Sequence, residues 1–87
     1  MRVTVVCFGV MREYLPGPGA GSAGSAEIEL GEGETVRALL DRLGAPDRLV
    51  HMCLVDGGRV GLQEELKEGS EVTLMPPFSG GAQREEL

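Results

Sequence analysis

The segment that most constrains this chain is Thr35-Val36-Arg37-Ala38-Leu39-Leu40-Asp41-Arg42-Leu43-Gly44, the one stretch with a clear helical period. Val36, Leu39, Leu40 and Leu43 recur at i, i+3, i+4 and i+7, while Arg37, Asp41 and Arg42 fall on the opposite side. Thr35 can cap the first turn through its hydroxyl, and Gly44 can take the left-handed conformation that ends a helix. A lone helix with a single apolar stripe needs a partner layer. The rest of the chain must therefore supply a sheet with one face turned to the helix.

The flanking segments have the required period of two. Arg2 and Thr4 alternate with Val3, Val5 and Cys7, which predicts a strand over residues 2–8. Val6 and Phe8 then share the face of Arg2 and Thr4, away from the helix; either a loop covers them or they form a partner surface. A short helical turn is expected over residues 10–15. Residues 16–25, Pro-Gly-Pro-Gly-Ala-Gly-Ser-Ala-Gly-Ser, have no periodicity and read as a flexible loop. That loop lacks the Lys and the spacing of a phosphate-binding loop.

A second strand is expected over residues 26–30 with Ile28 and Leu30 inward, forming a hairpin with the first. After the helix and an irregular stretch, residues 51–56 read as a third strand. Asp56-Gly57-Gly58 predicts a tight turn into a short strand around Val60. Residues 62–67 read as one more helical turn, stopped by Gly69. Glu71-Val72-Thr73-Leu74-Met75 is the last strand, with Val72 and Leu74 inward and the ability to return beside the first. The expected class is α+β, a mixed sheet of about five strands gripping one main helix, with its other face open.

Composition narrows the function classes. With 87 residues the chain is one domain, and a net charge of −6 disfavours phosphate backbones and anionic membranes. Neither nucleic acid nor membrane is an expected partner; a basic protein surface is. Cys7 and Cys53 read as reduced core residues, and one histidine, His51, with no close Cys pair argues against a metal site. The single histidine also leaves no triad to assemble. The first strand lacks a signal-peptide cleavage site, so a cytoplasmic, untargeted protein is expected.

Function is expected at Met75-Pro76-Pro77-Phe78-Ser79-Gly80-Gly81. Two prolines end the strand and give a stiff exit. Ser79, Gly80 and Gly81 are small enough to thread a narrow groove.

On Val3 to Phe8 with Met11-Arg12-Glu13, Gly33-Glu34-Thr35-Val36 with Leu39-Leu40, Leu66-Lys67-Glu68-Gly69-Ser70-Glu71-Val72, and Pro76-Pro77-Phe78-Ser79-Gly80-Gly81, the chain resembles the ubiquitin-like, β-grasp sulfur carriers of the MoaD/ThiS type. The resemblance is specifically to the small subunit of molybdopterin synthase. It implies a carrier that is not an enzyme on its own and binds no cofactor. An E1-like enzyme uses ATP to adenylate the Gly81 carboxylate, and a sulfur donor converts it to a thiocarboxylate. The sulfur then passes to a pterin precursor held by the synthase large subunit. Gly80 would give reach, and Pro76, Pro77, Phe78 and Ser79 would set the exit and contact partners. Within the same class the sulfur could serve thiamine, cysteine or tRNA thiolation; outside it stands a ubiquitin-like modifier or interaction module without sulfur chemistry.

Ala82-Gln83-Arg84-Glu85-Glu86-Leu87 departs from the family pattern, because it ties the Gly81 carbonyl into a peptide bond. Either a protease, such as the JAMM-type metalloproteases that trim related carriers, removes residues 82–87 from the domain at 1–81, or the carrier function is lost. For docking, the outward face offers Val6, Phe8, Met52, Leu54 and Met75, provided Cys53 and Val55 point inward. Glu64, Glu65, Glu68 and Glu71 could meet a basic partner.

Overall fold

The structure, a computed structural model, describes residues 1–17 and 23–77. Phe78, Ser79, Gly80, Gly81, the extension 82–87 and part of the loop expected over 16–25 lie outside the described residues.

Five strands form one mixed sheet: β1 (Arg2–Cys7), β2 (Ser25–Glu29), β3 (Met52–Val55), β4 (Gly58–Val60) and β5 (Glu71–Met75). Their order is β2-β1-β5-β3-β4. β1 pairs antiparallel with β2 and parallel with β5, so the last strand returns to the centre of the sheet as expected. β3 runs antiparallel to both β5 and β4. The β3–β4 hairpin turns at Asp56 and Gly57, whose φ values of 50° and 88° are those of a two-residue turn with both centres left-handed.

The main α-helix, α1 (Val36–Leu43), lies on one face. Thr35 caps it as expected, its Oγ1 accepting from the Ala38 N–H at 3.3 Å. Gly44 ends it at φ +73°, and the Ala45 N–H returns to the Leu40 carbonyl at 3.1 Å. Val36, Leu39 and Leu40 are fully buried against Val3, Val5, Val72 and Leu74 from the strands. Each such side chain contributes about 1.5–3 kcal/mol by leaving water.

Two segments differ from expectation. Residues 62–67 are not a helical turn. The Leu62 and Glu64 carbonyls accept from Arg37 and Val36 N–H at 2.9 and 3.0 Å, and the Leu66 N–H donates to the Glu34 carbonyl at 2.8 Å. The i, i+4 spacing of Leu62 and Leu66 suggests a helix, but this backbone is used to satisfy the first N–H groups of α1. Leu66 anchors the segment in the core. The expected helical turn near Val10 is a 3-10 helix, Gly9–Tyr14, and it carries Met11 into the core with no exposure at all. The i, i+4 pair Met11 and Leu15 was the available signal for this, since Leu15 is buried too.

Candidate functional site

Alternation along the strands decides what the open face presents. Cys53, Leu74, Cys7, Val5 and Val72 point to α1, so their strand neighbours point away from it. The register aligns Val6 with Thr73 and Thr73 with Leu54, making one row across three strands. The next row joins Met75 to Met52, and the Phe8 N–H donates to the Leu74 carbonyl at 3.2 Å, which places Phe8 beside this row. Adjacent strands sit about 4.8 Å apart, so these side chains share one face, with Thr73 among them at the centre of the Val6–Leu54 row. Val6, Met52, Leu54 and Met75 are half-buried, and Phe8 is 47% exposed. All five residues assigned to the outward face are therefore brought together.

The exit of the C-terminal segment lies at the edge of this surface. β5 is the middle strand of the sheet, and Met75 is its last residue. The Met75 carbonyl accepts from the His51 N–H at 2.8 Å, which fixes the strand end. Pro76 is buried and Pro77 is exposed, so the chain is seated against the fold at the first proline and reaches the surface at the second. Beside the exit, a cleft of about 280 Å³ is lined by Val6, Cys7, Phe8, Gly9, Arg12, Ala23 and Gly24. Arg12 is the charged one among the described residues that line it. Among the described residues the site is an outward sheet face with Pro76 and Pro77 at the end of its middle strand.

The acidic residues do not form a single patch. Glu68 accepts from the Arg2 N–H at 2.9 Å and Glu71 pairs with Thr4, which puts both at the end of the sheet away from the tail exit. Glu64 and Glu65 stand at the start of α1. Cys7 and Cys53 are free and buried on either side of Leu74, two strand spacings apart. Burial pushes both thiols up to about 11, so neither is a nucleophile at neutral pH. No helix among the described residues is long and apolar enough to cross a membrane.

This architecture is that of the ubiquitin-like β-grasp proteins. A proposed molybdopterin converting factor, subunit 1, from Pyrococcus furiosus superposes with a TM-score of 0.65 at 27% identity, over 88% of this chain and 98% of that one. SAMP1 from Haloferax volcanii gives a TM-score of 0.68 at 23% identity, over 93% of this chain and all of the other. A further structure of this small archaeal modifier protein 1 gives 0.66 at 18% identity, over 88% of this chain and 98% of the other. No curated protein matches the chain. The ThiS family matches residues 7–81, and the chain belongs to that family. Its members of the MoaD/ThiS type are small ubiquitin-like carriers rather than enzymes.

Proposed function

We propose that this protein is a sulfur carrier whose working terminus is Gly81, acting with an E1-like adenylating enzyme in molybdopterin synthesis as the small subunit of a synthase. One observation carries the reading. The family match ends at Gly81, and the segment leading to it leaves the middle strand of the sheet beside the apolar surface of Val6, Phe8, Leu54 and Met75. A carrier needs that combination, a surface that docks on successive enzymes and a thin chain placed to enter their active sites.

The chemistry begins with removal of residues 82–87. Water adds to the Gly81 carbonyl, the amine of Ala82 leaves, and a free carboxylate results; a JAMM-type metalloprotease is the class suited to this step. The carboxylate then attacks the α-phosphorus of ATP in the E1-like enzyme and releases pyrophosphate. Hydrosulfide from a sulfur donor attacks the acyl carbon, the C–O bond to AMP breaks, and AMP leaves behind a thiocarboxylate. Pro76 and Pro77 hold the exit direction, while Phe78, Ser79 and Gly80 let the acyl group reach the reacting centre. ATP is a substrate of the partner, and no cofactor is assigned to this chain.

The molybdopterin assignment rests on the Pro-Pro-Phe-Ser-Gly-Gly segment and on the similar fold of the Pyrococcus furiosus protein. A second reading, a modifier joined through Gly81 to a lysine of another protein, is favoured by the similar fold of small archaeal modifier protein 1. Intact mass spectrometry separates the readings. A form ending at Gly81, incubated with an E1-like enzyme, ATP and a sulfur donor, is expected to exchange one oxygen for sulfur. A form that is adenylated, never gains sulfur and is found joined to lysines instead defines the modifier.

A further inference from the structure

β2 is an edge strand, and its outer edge is unpaired among the described residues. The Met1 ammonium and the Leu30 carbonyl are bonded, as are the Leu30 N–H and the Met1 carbonyl, and the Cys7 N–H donates to the Gly24 carbonyl. Alternation in an antiparallel ladder then assigns Ala26 and Ile28 to bonds with β1. Ser25, Glu27 and Glu29 turn their N–H and C=O groups outward. This backbone edge runs alongside a groove of about 350 Å³ between β2 and the end of α1, walled by Tyr14, Pro16, Ile28, Arg42 and Leu43, with Glu27 and Glu29 of the edge itself also lining it. Tyr14 and Leu43 are half-buried and Ile28 is buried, so the groove has an apolar floor.

The two faces of the edge differ in chemistry. Ile28 points to the helix side and the groove. Glu27 and Glu29 point to the open face, where Arg2 lies 3.8 and 3.4 Å from them. Glu68 accepts from the Arg2 N–H, Glu71 stands opposite Thr4 one strand over, and the Met1 ammonium lies 3.4 Å from Glu29; these four carboxylates against two cations leave this end of the sheet net negative.

We propose that the β2 edge binds an extended segment of a partner protein in which basic and apolar side chains alternate. Its backbone adds a sixth strand to the sheet by bonding to Ser25, Glu27 and Glu29. Residues opposite Glu27 and Glu29 fall on the open face and are basic. The intervening residues fall on the helix side, and their apolar side chains fill the groove over Ile28, Tyr14 and Leu43. Period-two alternation is what lets a single strand satisfy both faces. A second copy of β2 is a poor occupant, because antiparallel self-pairing sets the Glu27 and Glu29 carboxylates against their own kind. The surface is separate from the one beside Pro76 and does not depend on chemistry at Gly81.

The test is hydrogen exchange by nuclear magnetic resonance on the full chain with the synthetic peptide Lys-Val-Lys-Ile-Lys-Val, blocked at both ends. Exchange at the Ser25, Glu27 and Glu29 amides is expected to slow, with no change at Ala26 and Ile28. A composition-matched block peptide, Lys-Lys-Lys-Val-Ile-Val, is expected not to do so. Glu27→Lys combined with Glu29→Lys is expected to weaken binding about tenfold. Retained protection at Ala26 and Ile28 would show that the strand itself survives this change. Three outcomes overturn the proposal: no slowing at the three outward amides, equal slowing by both peptides, or slowing without peptide that grows with protein concentration, which assigns the edge to a second copy.

Discussion

The Phe8 N–H donates to the Leu74 carbonyl at 3.2 Å, which keeps the chain on the sheet for one residue beyond β1 and holds an exposed aromatic ring at the open face. Phe8 therefore has a fixed position with little burial to maintain. Phe8→Ser is expected to change stability by less than about 0.5 kcal/mol, because the ring contributes little to the core. Binding to an E1-like adenylating enzyme is expected to weaken by about tenfold or more, since an aromatic side chain that becomes buried on docking can carry much of the binding energy. Thermal melting and titration calorimetry on the same variant check the two halves.

Met11 is the opposite case, a side chain with no exposure in a segment of six residues. Met11→Ala is expected to cost about 2–5 kcal/mol, through lost transfer energy and the cavity left between the 3-10 helix and the sheet. Urea denaturation is the measurement, with Val10→Ala as the comparison. Val10 is 50% exposed, and its truncation is expected to stay within about 0.5 kcal/mol.

The difference between these two neighbours explains what the sequence could and could not convey. Strand parity and helix period are local properties, so the inward set from Val3 to Leu74 and the outward set of Val6, Phe8, Leu54 and Met75 follow from spacing alone. Thr35 and Gly44 also act within one turn of their own positions, and both caps are where spacing puts them. Met11 and residues 62–66 depend on distant backbone. A 3-10 helix of six residues is too short to establish a period, and the Leu62 and Glu64 carbonyls are aimed by the start of α1, which lies well before them in the chain. For the site, the outward face of Val6, Phe8, Leu54 and Met75 was legible by parity, whereas the groove beside β2 depends on how Tyr14 and Leu43 meet across the fold.

Glycine substitutions test the backbone side of this reading. Gly44 has φ +73° and open space where a β-carbon would stand, so conformation alone decides its tolerance. Gly44→Ala is expected to destabilise by about 1–2 kcal/mol. Gly61 also has open space and lies outside the left-handed region. Gly61→Ala is expected to be neutral or to stabilise by up to about 1 kcal/mol, through lower entropy of the unfolded chain. Chemical denaturation of the pair distinguishes conformational strain from steric conflict.

Arg37 on α1 and Asp47 after it form a two-pronged ion pair, with Nη1–Oδ1 at 2.5 Å and Nη2–Oδ2 at 2.6 Å. The hydrogen bonds from Arg37 hold the Asp47 carboxyl below its ordinary value, and Arg37 stays charged throughout. A carboxyl lowered on folding stabilises the native state above its unfolded value of about 4, and that contribution is lost as pH falls through the folded value. Asp47→Asn is expected to lower the melting temperature slightly at neutral pH, as befits an exposed pair. The gap between the two proteins is expected to close as pH falls below the carboxylate range. A gap that persists unchanged at about pH 2, below the unfolded carboxyl value, would assign the effect to packing instead of charge.

Cys7 and Cys53 make the last case, because burial raises both thiols to about 11. At neutral pH the thiolate, which is the reactive form, is nearly absent in the folded protein, and the sulfur atoms are screened by α1 and the sheet. Iodoacetamide is expected to leave the native chain unmodified and to add to both cysteines once the chain is unfolded in guanidinium. The same shift has a sign in stability. The unfolded thiols ionise near pH 9 and the folded ones later, so the unfolded chain releases protons first as pH rises. Stability is expected to be unaffected by these groups below about pH 8 and to decline between about pH 9 and 11. Cys7→Ala with Cys53→Ala is expected to remove that part of the alkaline decline, measured by urea titration at stepped pH, while lowering stability at neutral pH through the two small cavities it leaves.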